Sequence, residues 1–118
     1  MDEIKVELIK ATVTDLSISV NFEDSSVSQL NTNQAASVYE PTDENDPTVL
    51  IKAESTMKDP TGKHLSIECK ADFIIKFDPL PEDRSKAASE LCAPIIHKEF
   101  AKIVSALLHD MGHDLAIS

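Results

Sequence analysis

The sequence predicts an α+β fold in which an antiparallel four-stranded sheet packs against a long C-terminal helix. Three stretches carry the prediction. From Leu91 to Met111 the apolar residues Leu91, Cys92, Ile95, Ile96, Phe100, Ile103, Val104, Leu107, Leu108 and Met111 recur at steps of three and four, one broad helical stripe. Pro94 suits a first helical turn and Gly112 a stop, so this helix is roughly 27 Å long at about 1.5 Å per residue. From Leu65 to Asp78 the alternation is strict. Leu65, Ile67, Cys69, Ala71, Phe73, Ile75 and Phe77 share one parity, while Ser66, Glu68, Lys70, Asp72, Lys76 and Asp78 take the other. Such a strand has one core face and one wet face. Asp59-Pro60-Thr61-Gly62 then supplies a hairpin turn to the preceding alternating run, in which Val49, Ile51, Ala53 and Met57 face one way.

The remaining elements follow in order. Ile4 to Phe22 reads as two strands or one kinked strand, because its apolar parity changes twice. Ile4, Val6 and Leu8 give way to Ile9, Ala11 and Val13, and these to Leu16, Ile18, Val20 and Phe22. Side chains alternate with period two, so each change implies a bulge or bend, one near Ile9 and one at Thr14-Asp15. Glu23 to Thr48 is polar, with a short edge strand expected around Ala35 to Glu40. Pro79 and Pro81 end the sheet, and Asp83 or Ser85 can cap a short helix through Ala87 and Ala88. Pro94 then bends or restarts the helix by deleting the bond to Glu90. The tail after Gly112 is too short to pack much by itself.

A chain of 118 residues suits a single domain, 1–118. Its net charge of −10 argues against nucleic acid, whose non-specific binding draws on Lys and Arg. No apolar run is long enough to cross a bilayer and no leader pattern precedes the first strand, so membrane insertion is not expected and the simplest address is cytoplasmic. Cys69 and Cys92 form no CxxC and read as buried thiols of a reducing compartment.

Little in the sequence carries chemistry. His109 and His113 stand at i, i+4, but HxxxH lacks the Glu of HExxH and Gly112 interrupts the helix between them. Cys92 and His97 point about 140° apart on a regular helix, which separates a nucleophile from its base. The acidic run Glu40, Asp43, Glu44, Asp46 lacks the spacing and central Gly of a calcium loop and reads as a solvated turn. With only Gly62 and Gly112 as glycines there is no phosphate loop. Neither an enzyme nor a cofactor is expected. One helix cannot cover every apolar residue, and the two-faced N-terminal strands add to the excess; the surplus at Phe73, Phe77, Ile95, Ile96 and Phe100 is expected to form a client-binding or oligomer surface.

The order of elements resembles the SecB export-chaperone family, and two stretches carry the likeness. LIKATVTDLSISV is similar to that family's first strand, and LCAPIIHKEFAKIVSALLHDMGHDLAIS to its Cys-Pro-containing long helix, which stops at a Gly before a short aliphatic segment. The hairpin from Val49 to Asp78 matches the third and fourth strands, with Cys69 where a Cys often stands. The resemblance implies a SecB-like fold, a homodimer or homotetramer built through helices and sheet edges, and binding of unfolded or precursor polypeptides. It also implies docking of the export motor ATPase through acidic residues on the sheet, with Asp15 at one matching position and Glu68 near another but out of register. The sequence departs from the pattern at His97-Lys98, which replaces an aromatic-Pro pair, and it lacks the second long helix and basic tail. The function expected is a holdase for unfolded chains, with protein export as one setting; the alternative is a non-chaperone interaction or assembly module on the same fold.

Overall fold

Two inserted residues explain the shifting parity of the first strand. In the computed structural model, which describes residues 3–20, 29–61, 64–112 and 116–117, β1 (Lys5–Val20) runs unbroken beside β4 (Leu65–Asp78). Its register slips between Leu8 and Lys10 and again between Val13 and Asp15, at the two places where the apolar parity changes. Each slip returns the apolar residues to one side: Val6, Leu8, Ala11, Val13, Leu16 and Ile18 pair with Phe77, Ile75, Phe73, Ala71, Cys69 and Ile67. The strand is therefore a single bulged one, kept in phase with the core face of β4.

β2 (Gln29–Tyr39) and β3 (Thr48–Lys58) complete the four-stranded antiparallel sheet in the order β1-β4-β3-β2. β2 is longer than the short edge strand expected from the sequence. Beyond it lies β5 (Ala116–Ile117), parallel to β2, with Gln29 opposite Ala116 and Leu30 opposite Ile117. The tail was expected to pack little; it adds a fifth strand.

Asp83 caps α1 (Arg84–Leu91), its carboxylate accepting from the Lys86 N–H at 3.0 Å. The chain breaks at Cys92 and restarts as α2 (Ala93–Asp110), with Pro94 in the first turn where a missing N–H costs nothing. α2 stops at Gly112, whose φ of +86° is a left-handed conformation that a side chain would strain.

The core lies between the inner face of the sheet and the two helices. α1 packs against β2 and α2 against β3. Ala87, Ala88, Cys92, Ile96, Phe100, Val104 and Leu108 are buried against Val49, Ile51, Met57, Ile67, Phe73 and Ile75. Phe73, Phe77, Ile96 and Phe100, expected on a surface, are thus interior, because one helix row is enough to cover the middle of the sheet. The uncovered apolar surface lies on the N-terminal strand. Val13 and Leu16 pair with buried residues of β4 yet stay 42% and 41% exposed, since the helix layer does not reach over that part of β1.

Candidate functional site

Along most of its outer edge β2 has no strand beside it among the described residues, and a hollow opens there. Alternation places Leu30, Thr32, Gln34, Ala36 and Val38 on the inner face, the last four opposite Met57, Ser55, Ala53 and Ile51 of β3. On the other side β5 covers only Gln29 and Leu30, and among the described residues no strand lies alongside Thr32 to Tyr39. A groove of about 240 Å³ opens between this edge and the α1–α2 junction, lined by Gln34, Ala36, Val38, Ile51, Ala88, Ala93 and Ile96. Small side chains on both walls, Ala36 on the strand and Ala88 and Ala93 on the helices, leave the space.

Within the inner face one patch is polar. Gln34 Nε2 donates to the Ala93 carbonyl at 3.4 Å, a long bond. Its Oε1 is buried without a hydrogen-bond partner, as are Thr32 Oγ1 and Ser55 Oγ. Ser55 is 1% exposed and directly opposite Gln34. Unpaired buried acceptors and hydroxyls are costly, so three on two successive inner-face rungs mark a place that a partner group would stabilise.

The loops at the two ends of β3 are fixed by side chains. Arg84 Nη1 donates to the carbonyls of Asp46 at 2.7 Å and Asp43 at 3.2 Å, and its Nε stands 3.7 Å from Glu40 Oε1. Asp46 accepts from the Thr48 hydroxyl at 2.7 Å and the Thr48 N–H at 2.9 Å, bonds that lower its pKa with help from Arg84. The acidic run is therefore organised by a guanidinium holding backbone oxygens. At the other end Asp59, only 4% exposed, accepts from the Thr61 hydroxyl and N–H and from the N–H groups of His64 and Leu65. The Thr61 hydroxyl first, and then the Leu65 N–H, hold this carboxyl well below the usual range against the opposing effect of burial.

The other sequence candidates are scattered. Ile95 is half-buried on α2, apart in exposure from its buried neighbour Ile96. Asp15 and Glu68 are exposed on the outer face, on successive outer-face rungs: Asp15 pairs with Lys70, which pairs with Glu54, and Glu68 lies between Ser17 and Thr56. That face carries equal numbers of lysines (Lys5, Lys10, Lys52, Lys58, Lys70, Lys76) and carboxylates (Glu7, Asp15, Glu54, Glu68, Asp72, Asp78) on its described β1, β3 and β4 positions. A larger hollow of about 480 Å³ crosses it among Lys52, Glu54, Lys70 and Asp72, but its walls are mostly solvated side chains. Cys69 and Cys92 are both buried free thiols, and burial pushes the Cys92 thiol up to about 11, which disfavours a nucleophilic thiolate. His109 lies in the last turn of α2, while His113 lies outside the described residues. No helix among the described residues is long and apolar enough to cross a membrane.

The sequence did not point to Gln34, Thr32 or Ala36. Their alternation in QLNTNQAASVY was present, but two polar residues in the inner row hid the part of the strand before Ala35.

A sheet whose inner face is roofed by a broken C-terminal helix is the SecB-like α+β arrangement. No protein-family model matches the chain, and no curated protein matches it. Among solved structures the chain is similar to the Mycobacterium tuberculosis SecB-like chaperone Rv1957, determined in complex with a ChAD peptide from the Rv1956 HigA1 antitoxin. The match has a TM-score of 0.62 at 6% identity and covers 96% of this chain and 86% of that one, a likeness of fold.

Proposed function

We propose that this protein is a holdase, in which an extended, unfolded segment lies along the β2 edge from Thr32 to Tyr39. Alternate side chains of that segment enter the groove beside Ala36, Val38 and Ile51. The observation that carries the reading is an open strand edge next to an apolar groove, with β5 already seated on the same edge. Main-chain pairing accepts any sequence except at proline, which suits a binder of unfolded clients. The net charge of −10 favours segments rich in Lys and Arg. The antitoxin peptide carried by the Mycobacterium chaperone supports polypeptide as the ligand class. Binding, with no chemical step, is the role we assign, as one domain working in the cytoplasm.

Self-association belongs to the same proposal. The long β1 edge, with Ile9, Val13 and Leu16 exposed, is the surface for a second copy, as a dimer or as half of a tetramer. Phe73, Phe77, Ile96 and Phe100 would meet a client only if α2 lifted from the sheet, whereas Ile95 needs no such movement. Asp15 and Glu68, exposed on the outer face, are left as the docking position for an export motor.

The test is aggregation of chemically denatured clients on dilution, with the protein at stoichiometric ratio. The wild type should suppress it for several clients, and Ala36→Trp, which fills the groove, should not. No suppression with any client, or full suppression by Ala36→Trp, contradicts the proposal. Capture of one folded protein together with no effect on denatured clients would instead make this a dedicated interaction module.

A further inference from the structure

Resting on that reading, we infer that the β2 groove contains a carboxamide subsite: Gln34 accepts a hydrogen bond from an Asn or Gln side chain of the docked segment, two residues from an apolar side chain seated beside Ala36. The orientation of Gln34 supplies the acceptor. Its Nε2 faces the Ala93 carbonyl at 3.4 Å, and the reverse orientation would set two oxygens against each other, so Oε1 turns away from the helix. That Oε1 is buried and unpartnered, and so are Thr32 Oγ1 and Ser55 Oγ on neighbouring rungs of the same face.

A strand added at the β2 edge places its own inner-face side chains about 5 Å from those of β2. The side chain opposite Gln34 therefore lies within reach of Oε1. A carboxamide brings two N–H donors for that acceptor and a carbonyl for a nearby hydroxyl, a pairing an aliphatic group cannot make. The next inner-face position meets Ala36, where Ile51, Ala88 and Ile96 leave room for an apolar group. β5 shows that this edge accepts an added strand, since it occupies Gln29 and Leu30, one residue short of Thr32. The spacing of two holds whichever way the added strand runs.

The test uses the full chain and two short fluorescent peptides of alternating Thr, Val and Lys, identical except for a central Gln or the similarly sized Met that has a Val two residues before it and another two residues after it, so that either strand direction is served. Fluorescence anisotropy should give about tenfold tighter binding of the Gln peptide, the worth of one well-made buried hydrogen bond. Gln34→Met should remove that preference while both peptides still bind. Equal binding of both peptides by the wild type, as a water held permanently on Oε1 would produce, overturns the subsite. So does a preference that survives Gln34→Met. If both peptides bind equally and Ala36→Trp blocks both, the groove stands and only the subsite falls. If neither peptide binds, groove and subsite fall together.

Discussion

The ring of Phe100 on α2 meets the ring of Phe73 on β4 edge-on, with centroids 5.3 Å apart and planes at 81°. Both rings are completely buried, so this contact ties the helix to the middle of the sheet. Phe73 also has Ala11 of β1 on one side and Ile51 of β3 on the other, which places the contact over three strands. The groove at β2 depends on it, since the helix wall is positioned by what α2 packs against.

Phe100→Ala should cost roughly 3 to 5 kcal/mol, the usual loss for a buried aromatic that leaves a cavity. Leu91→Ala, at the exposed last residue of α1, should cost far less. Urea unfolding of the two variants checks this. Equal, small losses would mean that α2 is not fixed to the sheet by this row.

Asp59 contributes to the acid limb of stability. Its folded pKa is depressed below the ordinary 3.8, so the stabilisation is fully present above that value and is lost as pH falls below it. Thermal unfolding between pH 7 and pH 2 should therefore show Asp59→Asn well below the wild type at neutral pH, with the gap closing in acid. A gap independent of pH would show that the charge on Asp59 contributes nothing.

How much of this was legible in the sequence differs by element. The two bulges of β1 could be read because parity is unforgiving: Leu8 to Ala11 and Val13 to Leu16 must each absorb one extra residue to stay on the core face. β4 was equally plain. β2 was only partly read because Thr32 and Gln34 occupy inner positions, and those two residues belong to the candidate site. Local pattern fails there because the inner row is not filled with apolar groups. Asp59 has the composition of an ordinary turn residue, and its burial depends on four donors folding back around it. The surplus of apolar surface was expected on the N-terminal strands, where it is found, and also on Phe73, Phe77, Ile96 and Phe100, which are buried. Spacing says which residues share a face, but not how far a helix reaches across a sheet, so the exposed strip fell on Val13 and Leu16.

That strip gives the third prediction. Leu16→Glu places a charge among the exposed apolar residues of β1 without disturbing the buried row of β4. Light scattering should give a dimer or larger for the wild type and a smaller species for the variant. A wild-type monomer would contradict self-association through β1.

Strand addition at β2 is tested most directly by amide hydrogen exchange on the protein with and without an unfolded client segment. The amides between Thr32 and Val38 should gain protection on binding, and the gain should vanish in Ala36→Trp. A bound client that leaves those amides unchanged and protects β1 or the outer face instead would contradict the account.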